Sequence, residues 1–236
     1  MEKMSLLQFC DVDYAYPDGK QALSEINFSL ARGEKLAVVG ANGAGKSTLL
    51  LLSCGIITPT RGYVKFMQES LAAKNRQKFR GATGILFQDP DDQLFCPSVQ
   101  EDVSFGPLNL GIKGEELAER VRESLAKVGL SGFERRIPHH LSVGERKRVA
   151  LATVLAMRPE VLLLDEPTGN LDPRGRRELA ELLYNMPETV LLATHDLELA
   201  QTICSRVLIL SQGKVVAGGY AKEILSDEGL LFRCGL

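Results

Sequence analysis

Residues 40–47 read GANGAGKS, and no other stretch of the chain restricts its fold so strongly. The preceding KLAVV (35–39) is a short apolar run of strand type, and residues 47–53, STLLLLS, read as a helix. The spacing G-x-x-x-x-G-K-S between strand and helix wraps backbone N–H groups around a phosphate chain. Gly40 opens the loop, and Gly43 and Gly45 let it turn tightly enough for successive N–H groups to point inward. Asn42 and Ala44 complete the set of expected nucleotide-binding positions. Lys46 offers a compact cation to the outer phosphates, Ser47 a hydroxyl ligand for Mg²⁺, and Thr48 a further hydrogen bond to phosphate. The helix that begins here adds the positive end of its dipole.

A phosphate loop needs a carboxylate partner at the end of a neighbouring strand, and VLLLDEP at 161–167 supplies two. Asp165 is placed to hold Mg²⁺ through water, and Glu166 to polarise an attacking water. A further apolar strand, 189–193, leads into His195, which the carboxyl end of a strand would bring to the phosphate crevice.

The surrounding pattern alternates strand and helix. Strand candidates lie at 35–39, 83–87, 161–164 and 189–193, with a helix near 173–184 between the last two. Such alternation predicts an α/β fold with a mainly parallel sheet covered on both faces. Residues 6–30 carry extended, aromatic-containing segments broken by Pro17-Asp18-Gly19, which predicts a small N-terminal β-region. Residues 115–128 place Leu117, Val121, Leu125 and Val128 on one helix face, and 142–157 form a second helix with Ser142 as its N-cap. The helical block at about 89–157 is expected to be a subdomain inserted into a single domain spanning 1–236.

Bulk properties narrow the setting. A net charge of -2 exerts no general pull toward nucleic acid or anionic lipid. The longest apolar runs, 49–52 and 161–164, fall far short of the roughly 18 residues a membrane span needs. The start turns acidic too early for a secretory leader. Five scattered cysteines with no CxxC pair argue against a disulfide framework or zinc site and fit a reducing cytoplasm.

LSVGERKRVALA (141–152) lies shortly before VLLLDEP, and GNLDP follows at 169–173. With the phosphate loop, the glutamine after 83–87 and His195, these resemble, in order and through nearly the whole chain, the ATP-binding cassette (ABC) ATPases. The resemblance implies a P-loop NTPase core with an N-terminal antiparallel β-subdomain and an inserted α-helical subdomain. It also implies ATP and Mg²⁺ as cofactors, and two cassettes head to tail. Each ATP would then lie on one phosphate loop and be closed by the signature loop of the other chain. Ser142, Gly144 and Glu145 would form that closing edge at a helix N-terminus, with Asp172 acting across the same interface. Against the common LSGGQ, Val143 replaces a glycine and restricts the loop, and Glu145 replaces the glutamine. The basic run Arg146-Lys147-Arg148 is expected to be a solvated or interfacial face. Tyr16 is expected to stack on adenine, with Tyr14 as the alternative.

The stretch FQDPDDQLF (87–95) begins a longer run, 88–111, that resembles cassettes of cobalt, nickel and vitamin uptake systems of the energy-coupling-factor type. In that likeness Gln88 contacts Mg²⁺ and the attacking water. Asp91, Asp92 and Phe95 shape a groove for a helix of a membrane subunit, while Pro90 keeps Asp89 extended. The implied protein is an ATP-hydrolysing subunit that powers import of a transition-metal ion (cobalt or nickel) or a vitamin. It would sit peripherally on the cytoplasmic membrane face with a second cassette, identical or paralogous, and a polytopic membrane subunit. No direct contact with the transported substrate or with nucleic acid is expected. A soluble ABC ATPase acting on nucleic acid or ribosomes is the alternative of another class. Such proteins usually carry fused cassettes or long coiled-coil insertions, which this sequence lacks, and the stretch after His195 is expected to leave no room for a substantial extra domain. A P-loop small-molecule kinase is disfavoured by the signature and GNLDP segments.

Overall fold

Strands that are apolar at every position have no face to give to water, and LAVV, VLLL and VLLA are buried on both sides. The computed structural model describes residues 5–71 and 75–236. Its first half runs β1 (Ser5–Ala15), β2 (Gln21–Ala31), β3 (Lys35–Val39), α1 (Lys46–Ser53), β4 (Arg61–Phe66), β5 (Glu69–Ser70), α2 (Arg76–Ala82) and β6 (Thr83–Leu86). Three helices follow: α3 (Val99–Asn109), α4 (Gly114–Lys127) and α5 (Val143–Leu155). Alternation then resumes with β7 (Val161–Asp165), α6 (Pro173–Asn185), β8 (Thr189–Thr194), α7 (Leu197–Ile203) and β9 (Arg206–Ser211). The chain closes with β10 (Lys214–Tyr220), α8 (Ala221–Ile224) and α9 (Glu228–Arg233).

The larger sheet has the order β10-β9-β3-β8-β7-β6, parallel from β9 to β6, with β10 added antiparallel at one edge. Its pleat sorts side chains between two cores. Leu36 and Val38 of β3, Leu163 of β7 and Leu191 of β8 pack with Leu49 and Leu52 of α1 and with Leu7, Phe9 and Ile26 of the N-terminal strands. Their neighbours Val39, Leu164 and Leu192 face the other way, toward Leu183 of α6, Ile203 of α7 and Leu151 of α5. The N-terminal strands form the second, antiparallel sheet, β2-β1-β4-β5. The hairpin turn between β1 and β2 closes where predicted, with Gly19 at φ 86° and its N–H donating to Tyr16 O over 2.9 Å.

The helices expected at 115–128, 142–157 and 173–184 form as α4, α5 and α6 with ends within two residues, the usual scatter, whereas α3 is covered only by the broader helical block at about 89–157. Ser142 does cap α5, and Val121 and Leu125 of α4 are buried against the same core as α5.

Register turns this architecture into a site. Val39 is paired with Thr194, Asp165 with Ala193, and Leu86 with Leu164. The chain therefore leaves β3, β8, β7 and β6 along one edge of the sheet. Gly40, His195, Glu166 and the segment leading to Gln88 emerge side by side.

β6 reaches its place by close approach to α5. A Cβ on Gly84 would lie 2.2 Å from Val154 Cγ1 and 3.1 Å from Pro159 Cγ. Gly84→Ala is expected to destabilise the fold by about 1–3 kcal/mol through overpacking, read as a lowered midpoint in urea denaturation.

Candidate active site

The phosphate loop is held by its glycines at both ends. Gly43 and Gly45 take φ values of 81° and 108°, the left-handed region that a side chain disfavours. Gly40 lies against β9, where an added Cβ would come within 2.3 Å of Leu210 O. Ala44 is buried beneath the loop, and its carbonyl accepts from Gly213 N at 3.1 Å. Lys46, 7% exposed, donates from Nζ to Gly40 O at 2.7 Å.

Above the loop lies a cleft of about 320 Å³ lined by Tyr16, Asn42, Gly43, Gly45, Lys46, Ser47, Thr48, Gln88, Asp165 and Glu166, among others. Tyr16 reaches Thr48, hydroxyl to hydroxyl, at 2.8 Å, whereas Tyr14 is buried in the N-terminal core. Between the two tyrosines, Tyr16 is the one at the cleft.

The two acids at the end of β7 have different surroundings. Glu166 Oε2 accepts from the Thr194 hydroxyl at 2.8 Å, and Oε1 accepts from His195 N at 2.9 Å. His195 Nδ1 lies 2.9 Å and Lys46 Nζ 3.4 Å from the same Oε1. The backbone of Glu166 takes φ 43°, a conformation that non-glycine residues keep only where their surroundings impose it. Asp165 is buried too, and no described residue hydrogen-bonds to its Oδ1. Burial pushes its carboxyl above the ordinary range and the Glu166 charge adds to this, while the Ser47 hydrogen bond and the Lys46 charge oppose it. An orphaned carboxylate oxygen beside a serine hydroxyl makes a hard-oxygen donor set that fits Mg²⁺.

Ser142, Gly144, Glu145 and Asp172 do not line this cleft. Ser142 and Glu145 instead form a capping box: Ser142 N and Oγ each donate to Glu145 Oε2 at 2.8 Å, and Glu145 N returns a bond to Ser142 Oγ at 3.3 Å. These bonds hold the Glu145 carboxyl below its usual range. Gly144 sits in the first turn of α5, and Asp172 caps α6 by accepting from Gly175 N at 2.8 Å. One chain brings together the phosphate loop, the two acids, Gln88 and His195, and leaves the signature residues elsewhere.

The basic run of α5, expected to be a solvated or interfacial face, is divided: its flanking arginines are partly exposed and its middle residue is not solvated. Lys147 is 2% exposed and donates to Glu166 O at 3.2 Å and Pro167 O at 3.0 Å. Arg146 pairs with Asp91 at 3.2 Å, and Arg148 with Glu178 at 3.5 Å. FQDPDDQLF is divided accordingly. Gln93 accepts from Phe87 N and donates to Ala150 O and the Thr153 hydroxyl, bracing the stretch against α5. Asp91 turns toward α5, whereas Asp92 and Phe95 line a second, largely apolar groove of about 490 Å³ with Ile56, Phe105 and Met157. Phe95, 62% exposed, meets Phe105 edge to face at 5.0 Å between ring centroids.

The family described as ABC transporter matches residues 23–169. The energy-coupling factor transporter ATP-binding protein EcfA of Methanococcus maripaludis is 46% identical over 230 residues, covering 95% of this chain and 83% of that protein. The structure of cbiO1 from Clostridium perfringens, described as part of the ABC transporter complex cbiONQ, superimposes with a TM-score of 0.87 at 40% identity. That match covers 97% of this chain and 93% of the other. The ATP-binding cassette MJ0796, solved as a dimer in a post-hydrolysis state with ADP and Pi, gives 0.81 at 28% identity over 91% and 98% of the two chains.

The raised Asp165 pKa makes a stability prediction. Folding favours the protonated carboxyl, so this group's contribution is greatest below the ordinary aspartate range and is lost as pH rises through the folded value. Asp165→Asn, which never carries the charge, is expected to raise the urea midpoint of the nucleotide-free chain at neutral pH. The gain should shrink as pH falls below about 4, where both side chains are neutral.

Proposed function

The chain belongs to the ABC transporter ATP-binding family and hydrolyses ATP in the service of transport. From that premise we propose that it powers import of a transition-metal ion (cobalt or nickel) or of a vitamin through a polytopic membrane partner. The observation that carries the hydrolytic part is the fixing of Glu166. Its carboxylate accepts from Thr194, the last residue of β8, and from His195 directly after it, and pairs with Lys46 at 3.4 Å. In this reading Glu166 takes the proton of the attacking water, His195 contacts the γ-phosphate, and Gln88 orients the water from the cleft wall. Lys46, Thr48 and the N–H groups of residues 42–46 bind the phosphates, and Tyr16 stacks on adenine. Ser47, Asp165 and Gln88 would hold Mg²⁺, which when bound neutralises phosphate charge.

The signature residues belong, in this reading, to the nucleotide of a second cassette, identical or paralogous. Ser142, Gly144 and Glu145 close over that nucleotide and Asp172 meets its chain. Their position outside the chain's own cleft supports the assignment.

The import reading rests on likeness to EcfA and cbiO1 along nearly the whole chain, and on the groove beside Phe95. No helix among the described residues is long and apolar enough to cross a membrane. The cassette is therefore proposed to bind peripherally at the cytoplasmic face and to work through a subunit docked in that groove. Affinity capture of the tagged chain from membranes tests this: an integral polytopic subunit should co-purify, and cobalt, nickel or vitamin uptake should depend on Lys46. Capture with ribosomes or nucleic acid instead would overturn it.

Glu166→Gln is expected to keep ATP affinity and to slow single-turnover hydrolysis by roughly 10²–10⁴-fold. Near-normal turnover in the assembled complex would remove Glu166 from the role of base. Phe95→Asp should leave nucleotide affinity unchanged and weaken recovery of the membrane subunit by about tenfold or more, as expected for a central aromatic anchor. Unimpaired assembly and transport would show that the groove is not the docking site.

A further inference from the structure

We propose that Lys147 is a positioning residue that ties the first turns of α5 to the backbone of the Glu166 turn. The geometry of the hydrolytic carboxylate would then depend on where that helix sits. The proposal rests on the reading of Glu166 as the base.

An ammonium group has three donors and no acceptor, and in a buried position it needs fixed oxygens around it. Lys147, 2% exposed, finds them in Glu166 O and Pro167 O. Burial pulls its pKa down, while the negative charges of Asp89 and Glu166 pull it back up. Two of the groups around it, Asp89 and Glu166, thus come from the β6 and β7 sides of the cleft.

What Lys147 grips is the strained part of the site. Glu166 sits at φ 43°, and the turn after it is closed by Gly169 N donating to Glu166 O at 3.0 Å. Pro167 O has a partner in Lys147 Nζ at 3.0 Å. An added Cβ on Gly169 would lie 3.8 Å from the same Nζ, so the ammonium is seated inside the turn. The side chain of Glu166 is anchored by β8 and its backbone by α5.

The other end of this connection is the Ser142 capping box at the start of the same helix. In the head-to-tail arrangement, Ser142 closes on the nucleotide of the second cassette while Lys147 holds the glutamate that serves its own. One rigid helix start then touches both sites, and closure over one nucleotide is felt at the base beside the other.

The test is a double-mutant cycle on the full chain, with Lys147→Met and Lys147→Gln made alone and together with Glu166→Gln. ATP affinity, kcat, KM and thermal midpoint are measured for each. Lys147→Met should lower kcat by about 10–100-fold, the effect of a small displacement of a reacting group, with KM within about twofold. Lys147→Gln keeps an N–H donor on a shorter chain and should lose only about three- to tenfold. Neither change should add to the loss already caused by Glu166→Gln.

Full additivity in the Glu166→Gln background would overturn the proposal while leaving the base intact. Wild-type kcat in Lys147→Met would do the same. If Lys147→Met fails to fold, Lys147→Gln decides: a reduced kcat with unchanged ATP affinity and no additional loss beside Glu166→Gln supports the role. Wild-type kcat in that variant rejects it. Normal hydrolysis by Glu166→Gln alone would remove the base reading and the positioning role with it.

Discussion

Asp165 and Glu166 place two carboxylates side by side at the end of a strand buried on both faces, where each keeps only a small opening onto the cleft. Much of the site exists to hold this pair. β8 contributes the Thr194 hydroxyl and the His195 N–H, α1 the Lys46 ammonium, and α5 the Lys147 ammonium on the carbonyl side. Asp165 receives less: its Oδ1 is buried and has no hydrogen-bond partner among the described residues. The asymmetry sorts the two acids chemically. One is locked in orientation by protein donors, and the other retains free capacity for a cation.

How legible this was in the sequence depends on whether a group acts through its neighbours in the chain. GANGAGKS, VLLLDEP and VLLATHD could be located because each joins a strand to its functional residue within a few positions. The parallel core followed from the alternation of such runs with helical segments, since strands apolar at every position fit a sheet covered on both faces. The β4–β5 pair was not predicted. Arg61–Phe66 buries just Val64 and Phe66, too short an alternation to stand out from loop. β9 and β10 also lie outside the expected strands, although Val207–Leu210 is an apolar run like 161–164.

Lys147 shows a different limit. Its neighbours Arg146 and Arg148 are partly exposed and ion-paired, so a basic triplet reads as a surface. Only the helical rotation that turns the middle residue toward the Glu166 carbonyl separates it from the other two. The aspartates of FQDPDDQLF divide for a similar reason. Consecutive residues of a tight turn point in different directions, and Asp91 faces Arg146 while Asp92 faces the groove. Composition places acids there without assigning them to a neighbour.

The pairing of Val39 with Thr194, Asp165 with Ala193 and Leu86 with Leu164 bears on how such a chain can vary over time. Within β3, β7 and β8 one aliphatic residue can replace another with modest repacking. A single inserted or deleted residue is different, because it exchanges the two faces of the strand and moves its last residue along the row. In β7 that slip would carry Asp165 and Glu166 away from Ser47 and Thr194 together. Strand length is therefore the inherited quantity that evolution can least afford to change here, and length variation should collect in the connections away from this edge of the sheet.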